Sequence, residues 1–491
     1  MIIWLFISTG VFLGWSLGAN HAVNVFGTAV ASRMVRFRTA AVLSGIFVVL
    51  GAVLSGEGTT RTLNTLGAVN AIAGCFTVAL AVGLTVAWMT KLTLPVSTSQ
   101  AVVGGIIGWN LFTGSPTDTS SLSKIVSTWV IGPVLAAFFA FALFWLATGF
   151  LKNARMHILH VDAWTRVGLI IGGALAAYML GANNIANVMG MFVSASPLAD
   201  FSFLNMPSVS GTQQLFLIGG LAIAVGMYTY GERVMDTVGR DLYKVTPLAG
   251  LVVVLAETLV LFLVTSEWLE GVLAGAGLPT IPLVPLSSTQ VVIGAVIGVG
   301  LAKGGRGINY RVLLRIAWGW VIAPVIAGIT AFILLFFVQN VFEQQVVRRT
   351  EYRLDAAVME ELSRRGLDTT ALASLSGASI EGASEFRQVL EKQRSWTEAQ
   401  MMELFTAAEV DSIRVDSLVA LTRLDSAALS PGQRRALFAI HGTAFAHRWQ
   451  LNRTLQQGDP AWRIPDAKGS EAAAKRMRGI YSTLYTVFQK R

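Results

Sequence analysis

Over its first two thirds the chain is written in long apolar blocks separated by short polar stretches. Ten blocks lie near residues 1–32, 39–56, 67–90, 94–112, 125–150, 167–197, 214–231, 246–264, 282–302 and 312–338. Apolar runs of about 18 residues or more are long enough to cross a bilayer as helices. Beyond residue 342 the pattern changes. From "EQQVVRRTEYRLDAAVMEELSRR" onward, apolar residues recur at helical spacing among many charges, with breaks near "SGAS" (376–379), "SPG" (430–432) and "GDP" (458–460). The pattern predicts an all-α polytopic membrane protein followed by a small soluble helical domain.

Composition sharpens that division. Hydrophobic residues make up 54% of the chain and charged residues 13%, against roughly 25% charged in a soluble protein. Residues 1–342 hold 26 of the 65 charged residues and residues 343–491 hold the other 39. Much of the net charge of +9 sits in short loops between apolar blocks, where Lys and Arg set topology, so it reflects orientation in the lipid bilayer rather than a nucleic-acid partner. The first block lacks the basic start and small-residue cleavage site of a signal peptide and is expected to stay. One cysteine, Cys75, excludes an intrachain disulfide.

The basic loops are "RMVRFR" (33–38), "KNARMH" (152–157), "ERVMDTVGRDLYK" (232–244) and "KGGRGINYR" (303–311). If every block crosses once, these fall together on the cytoplasmic side of a cell membrane and the N-terminus lies outside. Ten crossings put the tail outside as well, whereas its early "VVRR" points inward, so its side stays open.

Three motifs occur twice in the same order. "GANHAVN" (18–24) matches "GANNIAN" (181–187), "LPVSTSQAVVGGIIG" (94–108) matches "VPLSSTQVVIGAVIG" (284–298), and "WVIGPVLAAFFAF" (129–141) matches "WVIAPVIAGITAF" (320–332). The expected organisation is a first repeat over 1–166, a second over 167–342 and the helical domain over 343–491. Five crossings per copy would turn the second copy upside down. That inverted-repeat plan places a substrate site between the halves, near mid-membrane, where helical hairpins meet.

An unpaired polar group in hydrocarbon costs several kcal/mol, so a polar cluster must face protein, water or ligand. Gly18 and Gly181 are read as permitting a helix break. Asn20 with Asn24, and Asn183 with Asn187, lie four apart on one helical face, with amides able to serve an anion or a cation. Pro95 and Pro285 are read as starting half-helices. Ser97, Thr98, Ser99 and Gln100, with Ser287, Ser288, Thr289 and Gln290, would then sit at exposed helix N-termini suited to a tetrahedral oxyanion. The glycines that follow (Gly104, Gly105, Gly108, Gly294, Gly298) fit close packing of hairpin arms.

With these motifs in view, nearly all of residues 1–342 resembles the inorganic phosphate transporter (PiT) family. That family carries a duplicated Gly-Ala-Asn-Asp-x-x-Asn motif and duplicated Pro-x-Ser-Thr-Thr-type tips. It also carries a Thr-Val-Gly element like "DTVGRDLYKVTPLAG" (236–250) and a Trp-x-x-x-Pro helix. The resemblance implies that the tip hydroxyls and glutamines hold the anion, with Asn20, Asn24, Asn183 and Asn187 completing the site. In the family, the motif aspartates help to bind coupling sodium ions or protons.

Both aspartate positions differ here, as His21 and Asn184. Without carboxylates, sodium coupling of the usual kind is disfavoured. A site of neutral donors suits sulfate, which has no proton to place, slightly better than phosphate. The pattern resembles the family's sulfate permeases. His21 has three readings: a packed neutral histidine, a donor to the anion, or a proton carrier. Glu257, deep in an apolar block, is a second proton candidate, about as readily explained by packing. The expected function is a secondary oxyanion transporter, proton- rather than sodium-coupled, with a phosphate transporter, a passive anion channel and an anion receptor as alternatives. Nothing in the core has the spacing of an enzyme active site or a metal site, since His157 and His160 lie in a loop without further ligands. No cofactor is expected. A homo-oligomer is compatible with everything above.

Overall fold

The computed structural model describes residues 2–67, 69–92, 96–154, 156–196, 198, 209–242, 246–305, 310–424, 429–465 and 471–488. Two compact units result. The first comprises Met1–Thr113, Thr117–Glu267 and Pro282–Arg348; the second comprises Gly114–Pro116, Trp268–Ile281 and Arg349–Arg491. The second unit thus takes in two short stretches that lie in loops between apolar blocks.

All ten apolar blocks contain helices. In the first unit these are α1 (Ile2–Ala31), α2 (Phe37–Ser55), a short α3 (Glu57–Leu66), α4 (Ile72–Lys91), α5 (Thr98–Thr113), α6 (Thr119–Ala154) and α7 (Ile158–Ile185). α7 continues through a π-helical turn, Ala186–Gly190, into α8 (Met191–Val193). Then follow α9 (Gly211–Leu242), α10 (Pro247–Thr265), α12 (Ser288–Ala302) and α13 (Tyr310–Asn340), whereas α11 (Glu267–Gly275), between α10 and α12 in the chain, belongs to the second unit from Trp268 onward. Among the described residues, eight helical segments are long and apolar enough to cross a membrane.

The blocks at 94–112 and 282–302 do not cross as full helices. α5 has 16 residues and α12 has 15. At ~1.5 Å per residue they reach about 24 Å and about 22 Å, short of a hydrocarbon core of roughly 30 Å. Both are preceded by non-helical residues, because the tip sequences carry hydroxyls and prolines that end a helix rather than continue it.

Contacts along the helices set their directions. Phe6 meets Phe76, Gly83 lies against Phe12, and Asn20 bonds Thr90, so α4 runs parallel to α1 and stops level with Asn20. α1 continues from there to Ala31. α5 returns antiparallel along α4, with Gly105 against Val82 and Trp109 against Gly74. α1 and α7 lie antiparallel: Gly10 faces Phe192, Gly14 faces Val188 and Gly173 faces Phe26.

The repeated motifs make repeated contacts. A methyl group on Gly18 would overlap the carbonyl of Ile223 in α9, and one on Gly181 would overlap the carbonyl of Val48 in α2. Gly104 abuts the carbonyl of Pro324 and Gly108 that of Gly328, in α13; Gly294 abuts Pro133 and Gly298 abuts Ala137, in α6. Neither α1 nor α7 breaks at its Gly-Ala-Asn glycine. These glycines are present for close helix approach, not for an interruption, and most of the tip glycines pack on the opposite half rather than on their own hairpin arm. Gly105 alone among them faces its own arm.

In the second unit, β1 (Glu351–Arg353), α14 (Ala356–Arg364), β2 (Ser379–Glu381), α15 (Ala383–Gln393) and α16 (Glu398–Ala408) surround a core that includes Tyr352, Phe386 and Phe405. β3 (Ile413–Arg414), α17 (Ser417–Arg423), α18 (Pro431–Ala439), β4 (Ala444–Phe445), α19 (Arg448–Gly458) and α20 (Glu471–Phe488) surround a second core around Trp462. The helices follow their caps: Asp355 and Asp416 accept from backbone amides of α14 and α17, and Ser430 with Gln433 forms a capping box at Pro431. The tail is therefore not purely helical. β1 pairs with β2, and β3 with β4, in two antiparallel ladders too short to show as an alternating pattern.

Candidate functional site

The starts of α5 and α12 meet the middle of α1 and the end of α7 in one buried polar cluster. Each tip is organised by its own serine. Ser97 accepts a hydrogen bond from the backbone N–H of Gln100 at 3.2 Å, and Ser287 accepts from the backbone N–H of Gln290 at 3.3 Å. The helices thus start at Thr98 and Ser288, later than a start at the prolines. Pro285 lies in the non-helical approach, and Pro95 lies outside the described residues.

From the caps onward the two tips match position by position. Thr98 and Ser288 both bond His21: Thr98 Oγ1 lies 3.2 Å from Nε2, and Ser288 Oγ lies 3.0 Å from Nδ1. Ser99 donates to the Leu286 carbonyl at 3.1 Å, and Thr289 donates to the Val96 carbonyl at 3.3 Å. These two bonds form a reciprocal clasp from tip to tip. The glutamines come next, and the side-chain carbonyls of Gln100 and Gln290 are buried with no partner among the described residues.

The asparagine frames support the tips differently. Asn20 donates to Thr90 at 2.7 Å, and Asn24 donates at 3.5 Å to Ser288 while lying 3.0 Å from His21 Nδ1. Asn183 holds the backbone of Leu286 at both ends, donating to its carbonyl at 2.7 Å and accepting from its amide at 2.8 Å. Asn187 donates to Ser99 at 2.8 Å and to Asn184 Oδ1 at 3.1 Å, while its own carbonyl has no partner among the described residues. Asn184 turns back to the carbonyl of Leu180 at 3.1 Å.

All twelve anion-site positions expected from the sequence, with His21 and Asn184, are at most 5% exposed, and all but Asn20, whose bond goes to Thr90 on α4, belong to the tips or are bonded to the tips or to one another. The helix N-termini are buried, not exposed. Glu257 is fully buried in α10, and neither of its oxygens has a partner among the described residues; no hydrogen bond joins it to the tips. His157 caps the start of α7 and His160 lies within that helix.

Chemically, the cluster offers hydroxyls, amide groups and two helix N-termini whose dipoles favour negative charge. Its members are neutral side chains with a single titratable group, His21. The π-helical turn beginning just before Asn187 was not legible in advance. Gly190 has the same offset from Asn187 as Gly27 has from Asn24, and α1 stays regular through Gly27.

Comparison with known proteins bears on this arrangement. The model of the phosphate transporter family matches residues 17–331 and, in a second match, residues 278–411. A candidate phosphate permease of Pyrococcus furiosus is 26% identical over 409 residues, covering 67% of this chain and 94% of the relative. One of Methanocaldococcus jannaschii is 28% identical over 323 residues, covering 66% and 93%. Among solved structures, one titled as the sodium-dependent phosphate transporter matches with a TM-score of 0.54 at 21% identity, covering 69% of this chain and 99% of that one. At that identity the likeness speaks for the fold alone.

Proposed function

This chain belongs to the phosphate transporter family, and we propose that it is a secondary transporter that moves inorganic phosphate by alternating access of the buried cluster. The observation that carries this reading is the meeting of two helix N-termini, each with the same cap, hydroxyls and glutamine, inside a set of apolar helices. The reading corrects the order of anions. Loss of both motif carboxylates put sulfate ahead, on the ground that the hydroxyl of phosphate needs an acceptor. The buried carbonyls of Gln100, Gln290 and Asn187 are such acceptors, and the relatives described above are named for phosphate.

The two halves are read as inverted repeats. α1 and α7 are antiparallel, and the contacts of Gly18, Gly104 and Gly108 recur at Gly181, Gly294 and Gly298. With α4–α5 and α10–α12 as hairpins ending at the tips, three full crossings remain in each half. Three is odd, so the inversion holds without five crossings. The four basic loops then still share one side, taken as cytoplasmic, with the N-terminus outside.

Coupling is assigned to protons rather than sodium, because among the described residues no carboxylate enters the tip cluster. His21 and Glu257 are the proton candidates. The test is uptake of labelled phosphate into proteoliposomes under imposed gradients. Saturable uptake raised by an inward proton gradient and indifferent to sodium is expected. Stimulation by sodium would overturn the coupling assignment, and non-saturating flux would mark a channel.

A further inference from the structure

In both tips, three of the four polar side chains from cap to glutamine are used within the protein. The cap serine accepts from the backbone N–H of the glutamine, the next hydroxyl bonds His21, and the third makes the tip-to-tip clasp. The fourth position is the exception in each. Gln100 and Gln290 are 3% exposed, and their side-chain oxygens have no partner among the described residues. Nearly all buried polar atoms in proteins are hydrogen-bonded. The same exception at matched positions is therefore a demand for a ligand, and an oxygen acceptor demands a donor.

Two kinds of ligand supply what an amide oxygen wants: a cation, or a hydroxyl. Position decides between them. Each glutamine lies in the first turn of a helix, of 16 and 15 residues, where the positive end of the dipole repels a cation and attracts an anion. A hydroxyl carried by an anion satisfies both the helix end and the acceptor. An amide also accepts without the negative charge that would repel the rest of the ion.

We propose that Gln100 and Gln290 set the choice of anion: each accepts a hydrogen bond from one hydroxyl of a dihydrogen phosphate ion, so hydroxyl-bearing tetrahedral anions are taken and those without hydroxyls are rejected. This rests on the phosphate reading above and extends it to the protonation state of the cargo and the residues that read it. Sulfate would leave both carbonyls buried and unpaired. Each unpaired acceptor costs roughly 10- to 100-fold in affinity. Sites built to bond a substrate hydroxyl discriminate strongly against analogues that lack it.

The experiment is competition against labelled phosphate uptake in proteoliposomes at neutral pH. The competitors are arsenate, which carries hydroxyls, and sulfate and monofluorophosphate, which are tetrahedral and carry none. Arsenate should compete within a few-fold of phosphate, and the other two about 100-fold more weakly. Gln100→Met and Gln290→Met keep length and remove the acceptor, and each should shrink the phosphate-to-sulfate preference by about 10-fold. As a readout that needs no variant, arsenate and phosphate should raise the unfolding temperature of the wild-type protein in detergent, while monofluorophosphate does not. Equal competition by monofluorophosphate, or a preference unchanged in both variants, overturns the proposal. So does a change in sodium dependence without a change in anion preference. Wild-type vesicles that take up sulfate but no phosphate would instead sink the phosphate reading on which it rests.

Discussion

The two Gly-Ala-Asn segments share a frame and differ in wiring. In the first, the helix stays regular and His21 bridges both tips, with one ring nitrogen on Thr98 and the other on Ser288. In the second, Asn184 bonds its own helix at Leu180, while Asn183 clamps the Leu286 backbone and a π-helical turn follows. An imidazole carries two nitrogens on opposite sides of a ring and can span two partners, whereas an amide at the matching place satisfies itself locally. The first segment thus links the tips through the two nitrogens of one histidine ring, whereas the second holds one tip by its backbone at Leu286 and the other by a separate asparagine at Ser99. Equal packing beneath unequal polar contacts is the contrast to test.

The largest effects should fall on what the segments share. Gly18→Leu and Gly181→Leu would each drive a side chain into a carbonyl of the facing helix, Ile223 or Val48. Overpacking of this kind costs about 3 kcal/mol. Thermal unfolding in detergent should show both variants equally destabilised. A harmless Gly181→Leu beside a damaging Gly18→Leu would break the equivalence of the two packing sites.

The next effect should separate the halves. His21→Ala removes the partner of Thr98, Ser288 and Asn24 together, at about 1 kcal/mol for each bond. Phosphate uptake should fall by about 100-fold, the factor that about 3 kcal/mol in total corresponds to. Asn184→Ala removes a local bond and one partner of Asn187, and should lower uptake by about 3-fold. Equal losses in initial uptake rate, at matched amounts of folded protein, would contradict the unequal wiring.

Much of this architecture was legible in the sequence, for physical reasons that also mark the limit. Apolar length found all ten helical blocks, and the doubled motifs located both tips and both asparagine frames. Length failed at 94–112 and 282–302 because tip residues buried in protein read as apolar span. Gly18 and Gly181 were misread because a glycine that permits a break and one that permits close approach look alike along a chain. The pairing of Gly104 with Pro324 and Gly294 with Pro133 depends on helices far apart in sequence, so composition could not assign it. The amide carbonyls were underrated because carboxylates seemed the natural acceptors, and burial without a partner shows only in three dimensions.

A smaller contrast follows from the bonds made by the leading asparagines. Asn183 makes two bonds to the Leu286 backbone, and Asn20 makes one to a hydroxyl on α4. Asn183→Ala should therefore lower uptake by about 10-fold and Asn20→Ala by about 3-fold, measured as before. A reversed order would place the more important support at the end of α4 rather than at the tip of α12.

The smallest effect should come where the halves are alike again. Ser99→Ala and Thr289→Val each remove one hydroxyl of the reciprocal clasp and leave a carbonyl, of Leu286 or Val96, without that donor. Ser99 also receives a bond from Asn187, so its loss should be slightly the larger, with both near 1 kcal/mol. If the two bonds hold the tips together as one clasp, losing either already loosens the contact for the other. The double variant should then be destabilised by less than the sum of the singles, with a coupling of about 0.5 kcal/mol or more in a double-mutant cycle of unfolding free energies. Strict additivity would mean that the two bonds act as independent contacts, each belonging to its own tip.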